Sequence, residues 1–368
     1  MKKIKLLPLL LAALLPLSGC LADNVPEASN TPSAAPTFSE TPAPEDTSEI
    51  EYELYTGEVP HIFTHCLIAY PEVKDASGKM LYDNDCINVT EFKNLLNELY
   101  NNGYSLVDVH DIYHRDENGL LRLKEAVEVP AGRKPLVFSV DDVVYDYKKR
   151  GNGMVDLLTL DTEGNLVSGT YQPDGLISYS YDREVFTILE RFIAEHPDFS
   201  SHGSRMTLCM TGFAGAFGFR TDSDYPGDRQ GEIEKAKAVA GKLKELGYTF
   251  ASHSYAHSNH EKMSEEALRR DLQQFSDEVV PIIGPVSVYI YPYGILIPPE
   301  DSRYAAMQEF GFEMFCSVAH FFYSRNYDDG QSLYMTRVAV DGYSLRNYHE
   351  ILSPLFDTDR VIDLPNRS

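Results

Sequence analysis

Apolar and polar positions alternate along this chain in a recurring unit. Three times a segment with helical spacing ends at a glycine followed by an aromatic residue and a short apolar run. These are Phe92 to Tyr100 into Gly103-Tyr104, Ile233 to Leu246 into Gly247-Tyr248, and Ala305 to Phe310 into Gly311-Phe312. Glycine is the expected helix stop, and the runs that follow are strand-like. Leu268, Leu272, Phe275 and Val279 repeat the helical period after Ser264, an N-cap candidate, and Val286 to Tyr291 is a further strand-like run. Helix and strand therefore alternate, which predicts an α/β fold with a mostly parallel sheet.

In parallel α/β barrels, the loops leaving the C-terminal strand ends converge on one mouth. Here the predicted strand ends carry polar residues repeatedly: His65 after His61 to Thr64, Asp141 and Asp142 after Leu136 to Val140, and His253 after Tyr248 to Ser252. Pro292-Tyr293-Gly294 follows Val286 to Tyr291, and His320 follows Phe312 to Ala319.

The amino end departs from this pattern. Lys2, Lys3 and Lys5 precede an apolar stretch, Leu6 to Leu17, and then Leu17-Ser18-Gly19-Cys20. This resembles the signal peptide and lipobox of bacterial lipoproteins, which implies cleavage before Cys20, lipidation of Cys20 and a place outside the cytoplasm, anchored to the cell membrane. Residues 21–50 are rich in Pro, Ser, Thr, Ala and Glu, without Lys or Arg, and read as a disordered tether. Residues 51–368 are expected to form one catalytic domain, with an insertion at about 143–182 in which Leu157 to Val167 reads as a hairpin among several tyrosines.

The formal net charge is −24, and removal of Lys2, Lys3 and Lys5 takes it to −27. Nucleic acid is thereby an unfavourable partner. Of the four cysteines beyond Cys20, Cys209 and Cys316 read as buried thiols; Cys66 and Cys86 can close a loop in an oxidising compartment, although sequence alone does not fix the pairing.

A carboxylate with two neutral imidazoles is a ligand set that zinc and related ions accept, and a second carboxylate beside the ion can act as a base. Asp141-Asp142 with His253-Ser-Tyr-Ala-His257 supplies that set. Either pair alone is weak: adjacent aspartates often cap or turn, and spaced histidines occur in exposed loops. Their conjunction at strand ends of one sheet is stronger.

Ser139-Val140-Asp141-Asp142 resembles the first motif of the polysaccharide deacetylases of carbohydrate esterase family 4, the NodB homology domain. Ser252-His253-Ser254-Tyr255-Ala256-His257 resembles the second and Ile290-Tyr291-Pro292-Tyr293-Gly294 the third. The resemblance implies a distorted (β/α) barrel holding one divalent ion, zinc foremost, through Asp142, His253 and His257, with Asp141 as general base and the Tyr293 backbone N–H on the oxyanion. Phe63-Thr64-His65 is similar to the start of the circularly permuted branch that deacetylates poly-N-acetylglucosamine, which implies His65 as general acid, with His320 and His349 as competitors. The implied reaction removes N-acetyl groups from a cell-surface or extracellular polysaccharide. An O-acetyl esterase on a glycan such as xylan, or an inactive carbohydrate-binding lipoprotein, would keep the same fold. The chain departs from the family pattern at Val143, where glycine is usual, and at Ile290, where many members have an arginine that contacts the base. In the 213–222 segment, packing is a better account of Arg220 than substrate contact.

Overall fold

The alternating runs build a closed barrel. In the computed structural model, which describes residues 50–327 and 330–367, seven parallel strands follow one another around the barrel in chain order. They are β1 (His61–His65), β2 (Lys134–Asp141), β3 (Thr207–Met210), β4 (Thr249–Ser252), β5 (Val288–Ile290), β6 (Met314–Val318) and β7 (Ser332–Ala339). β7 returns to β1 through Val338 opposite Ile62 and Ala339 opposite Phe63. The expected parallel (β/α) barrel is thus the fold.

Its distortion lies at the edges of two long strands. The first half of β2 pairs with an outer strand, Tyr104–Leu106, and its second half with β3. β7 does the same, pairing first with the antiparallel Ser324–Tyr327 and then with β1. Only the upper halves of β2 and β7 therefore close the ring, and those halves end at the mouth.

Helices cover the outside: α1 (Val89–Asn101), α2 (Val185–Glu195), α3 (Arg229–Leu246), α4 (Glu265–Glu278) and α5 (Ser302–Glu309). α1 opens with a reciprocal capping box between Asn88 and Glu91, and α4 with Ser264 accepting from the Ala267 N–H. α3 stops at Gly247, where φ is 100° and an added Cβ would stand 2.1 Å from the Gly203 carbonyl oxygen. Both the conformation and the space demand glycine. α2 has no glycine stop and lay outside the recurring sequence unit.

Strand periodicity decides what faces inward. Val137, Cys209, Ala251, Ile290, Cys316 and Met335 share the apolar cluster of the barrel interior. Next inward along β2 and β7 come Ser139, Asp141 and Arg337, which are also buried. The insertion forms a three-stranded antiparallel sheet of Leu157–Leu160, Leu166–Tyr171 and Ile177–Ser180. No helix among the described residues is long and apolar enough to cross a membrane. The expected signal peptide, Cys20 and nearly all of the expected tether lie outside the described residues.

Candidate functional site

Asp141 closes β2 with its side chain inside the barrel, 2% exposed. There it meets Arg337, which arrives from β7 and is fully buried. Arg337 Nη1 donates to Asp141 Oδ1 at 2.7 Å and Nη2 donates to Oδ2 at 2.9 Å. The guanidinium also donates to Ser139 Oγ at 3.1 Å and lies 4.1 Å from the centre of the Phe63 ring. Burial alone would raise the Asp141 carboxyl, but the charge of Arg337 and its hydrogen bonds outweigh it and hold the group well below the usual carboxylate range. His61, 2.9 Å from Ser139 Oγ, is kept neutral by burial and then by Arg337, so it adds no competing charge.

Asp142 begins the loop past the strand end, in the left-handed region at φ 57°. That places the positive φ on Asp142 itself, so Val143 needs no glycine-like backbone and instead buries its side chain in the core. Asp142, His253 and His257 bring one ligand atom each within 4.8 Å of one another. His253 Nδ1 donates to the Ile290 carbonyl at 2.9 Å, which fixes its tautomer and leaves Nε2 as an acceptor. Burial holds this imidazole below its ordinary value and hence neutral, as a ligand must be. The loop from His253 to His257 is tied down by Asp271 on α4, whose carboxylate accepts from the Tyr255 N–H at 2.8 Å and the Ala256 N–H at 2.9 Å. Ser254 and His257 also have positive φ, as does Tyr293. Such conformations cost free energy and persist where surrounding contacts enforce them.

The donor set fits a divalent ion. Asp142 Oδ1 is buried without a hydrogen-bond partner and points to the same place as the two imidazoles, 3.8 Å from His257 Nε2. An unpaired buried carboxylate oxygen is expensive unless a cation meets it.

These residues line one cleft of about 520 Å³, together with His65, Tyr293 and His320. His65 ends β1 directly across from Asp141 in the strand register, and its Nδ1 is buried and unpartnered. Tyr293 follows Pro292 in a tight turn, with its ring 4.6 Å from that of His257. Gly294 permits this turn to lie on β6, since an added Cβ would stand 2.6 Å from Val318 Cβ. His349 is absent from the cleft and is engaged with the Arg346 carbonyl and the Thr358 hydroxyl. Arg220 is also absent from it, forming a bidentate pair with Asp222 at 2.6 and 2.7 Å. Of the insertion's tyrosines, Tyr145 lines the cleft, whereas Tyr147 and Tyr171 lie under Arg220 and Arg150 and Tyr181 donates to Asp161. Cys66 and Cys86 are free buried thiols, as are Cys209 and Cys316.

Arg337 is the residue that sequence reading missed. Ile290 offers Asp141 no cation, and the arginine comes from another strand, 196 residues from Asp141. Its only sequence signal is a lone cation in the otherwise strand-like Ser332–Ala339.

Residues 217–315 match the family model described as polysaccharide deacetylase. No curated protein matches the chain. Among solved structures, the Streptococcus pyogenes deacetylase PplD in complex with acetate aligns at 12% identity and TM-score 0.44, covering 82% of this chain and 100% of that one. A family 4 carbohydrate esterase from Bacillus anthracis aligns at 18% identity and TM-score 0.22, over 42% of this chain and 61% of that one. A family 4 pseudoenzyme from the same organism aligns at 10% and 0.26, over 48% and 59%. The matched stretch contains His253, His257 and Pro292-Tyr293-Gly294, and the aspartate pair at the end of β2 faces them from outside it.

Proposed function

We propose that this protein is a zinc-dependent N-deacetylase of a cell-surface or extracellular polysaccharide, tethered to the membrane through a lipid on Cys20. One observation carries the reading: a three-residue donor cluster lies next to a second, ionised carboxylate that a buried arginine holds in place. A sugar-binding module has no need of that second carboxylate.

Asp142, His253 and His257 would hold the ion, and a divalent ion in such a set supplies Lewis acidity toward an acyl oxygen and toward water. The remaining chemistry belongs to the chain. Asp141 remains ionised and its geometry is fixed by Arg337, so it can accept a proton at the cleft floor. His65 presents an unengaged imidazole nitrogen beside it and can deliver a proton to the leaving amine. The Tyr293 N–H is assigned to the developing oxyanion, where a preorganised donor is most effective.

The test uses metal analysis and acetate release from chitin oligomers, poly-N-acetylglucosamine, peptidoglycan and acetylxylan. Acetate from an N-acetylated glycan, lost in Asp141→Asn with metal retained, supports the reading. Release from acetylxylan alone would make the protein an O-acetyl esterase. Bound metal with no acetate from any substrate would refute catalysis.

A further inference from the structure

Beyond the chemistry at its floor, the cleft has an aromatic side that no motif announces. After β7 the chain turns at Asp341 into a short helix, Gly342–Asn347, opened by a reciprocal capping box between Asp341 and Ser344. Tyr343 on that helix is 48% exposed, and Tyr348 follows directly after it. Both line the cleft. Their rings meet edge to face at 5.6 Å, and Tyr348 packs against His320 at 4.4 Å.

The shelf is anchored to the far wall. The Tyr343 N–H donates to the Asn84 carbonyl at 3.0 Å, Arg346 donates to Asn84 Oδ1 at 2.6 Å, and Arg346 pairs with Asp83 at 3.1 Å. A large exposed aromatic ring on a backbone anchored in this way has only its own two torsions to fix on binding. A pyranose ring offers a complementary face of C–H bonds and a rim of hydroxyls.

Charge narrows the occupant. Asp85, Asp146, Asp156 and Asp341 also line the cleft, whereas its lysine and arginine content is Lys149 and Arg337, the latter committed to Asp141. Such a lining repels carboxylate- or phosphate-bearing chains.

We propose that Tyr343 and Tyr348 form a sugar-stacking subsite for a second, uncharged N-acylated hexosamine unit, adjacent to the unit whose acyl group reaches Asp141. This rests on the deacetylase reading and extends it: the enzyme acts within an oligomer or polymer, not on a single sugar.

The experiment titrates the full chain, treated with chelator to stop turnover, with penta-N-acetylchitopentaose by calorimetry. Tyr343→Ala should weaken binding roughly ten-fold, the size expected for one lost aromatic stacking contact, while Tyr343→Phe binds like the parent. N-acetylglucosamine, which has no second unit to place on the shelf, should lose less than the pentamer, and trigalacturonate should not compete. Unchanged affinity in Tyr343→Ala, equal loss in Tyr343→Phe, or competition by trigalacturonate would overturn the subsite. Failure of the two readings is separable. If Tyr343 governs pentamer affinity but untreated protein releases no acetate, the deacetylase reading fails and the subsite stands. If acetate is released and affinity ignores Tyr343, the subsite fails alone.

Discussion

The Asp141–Arg337 pair makes a quantitative prediction. Arg337 is 0% exposed and Asp141 2%, and two hydrogen bonds of 2.7 and 2.9 Å join them. Removing one partner of such a pair leaves an uncompensated buried charge, at a cost of about 3–5 kcal/mol. Arg337→Met should therefore destabilise the protein by that amount, and Asp141→Asn, which strands the guanidinium, by a similar amount. In the double variant neither charge remains. Replacing both partners of a buried pair is often close to neutral, so the double variant should be no less stable than either single one, with a coupling of at least about 3 kcal/mol. The assay is urea unfolding followed by far-UV circular dichroism, with chelator present so that metal binding adds nothing to the folded state. Single effects that add to within about 0.5 kcal/mol would show the pair to be uncoupled and would refute the claim that Arg337 holds Asp141 in place.

Other perturbations test separate parts of the structure. His260 is buried, and desolvation lowers it from 6.5 to about 4; the unfolded chain takes up its proton first as pH falls, so stability is full above 6.5 and declines toward 4. His260→Gln should flatten that decline, by up to about 3 kcal/mol in the pH dependence of urea midpoints. Glu184, which caps α2 and accepts from the Leu67 N–H, is pushed up to about 7 by burial, so stability present below pH 4.5 is lost as pH rises through 7. Glu184→Gln should then be the more stable protein at pH 8 and lose that advantage at pH 4, as measured by the same unfolding series. His65→Ala should lower kcat by about 10²–10⁴ while atomic absorption finds the metal unchanged. Gly294→Ala should cost about 1–3 kcal/mol in thermal unfolding, because its Cβ would strike Val318.

How much of this was legible in the sequence depended on how local each signal was. The glycine-stopped helices, the Ser264 cap and the strand ends at His65, Asp141 and His253 are encoded within about one element each, and the barrel bears them out. The His253 and His257 loop was legible for the same reason: a spacing of four residues brings both rings to one place once Asp271 ties the turn. Val143 shows the limit of motif matching. Glycine is usual at that motif position, yet here the left-handed residue is Asp142, and Val143 simply fills core space.

Arg337 and the Tyr343 shelf were illegible for a different reason. Each depends on β7 closing the ring beside β1, a contact between positions more than 270 residues apart in the chain, and no local pattern reports ring closure. The barrel interior turns this remote arrival into chemistry. Strand periodicity points 335 and 337 inward together with 139 and 141, so once the register of β7 is set, a cation at 337 can meet the carboxylate of 141 and a residue one step out of phase cannot. A one-residue register slip would turn Arg337 outward and bury Thr336 or Val338 against Asp141. The β7–β1 seam therefore ties the geometry of the candidate site to fold closure: the contacts that complete the barrel also place the partner of Asp141 and, a few residues later, carry Tyr343 to the mouth.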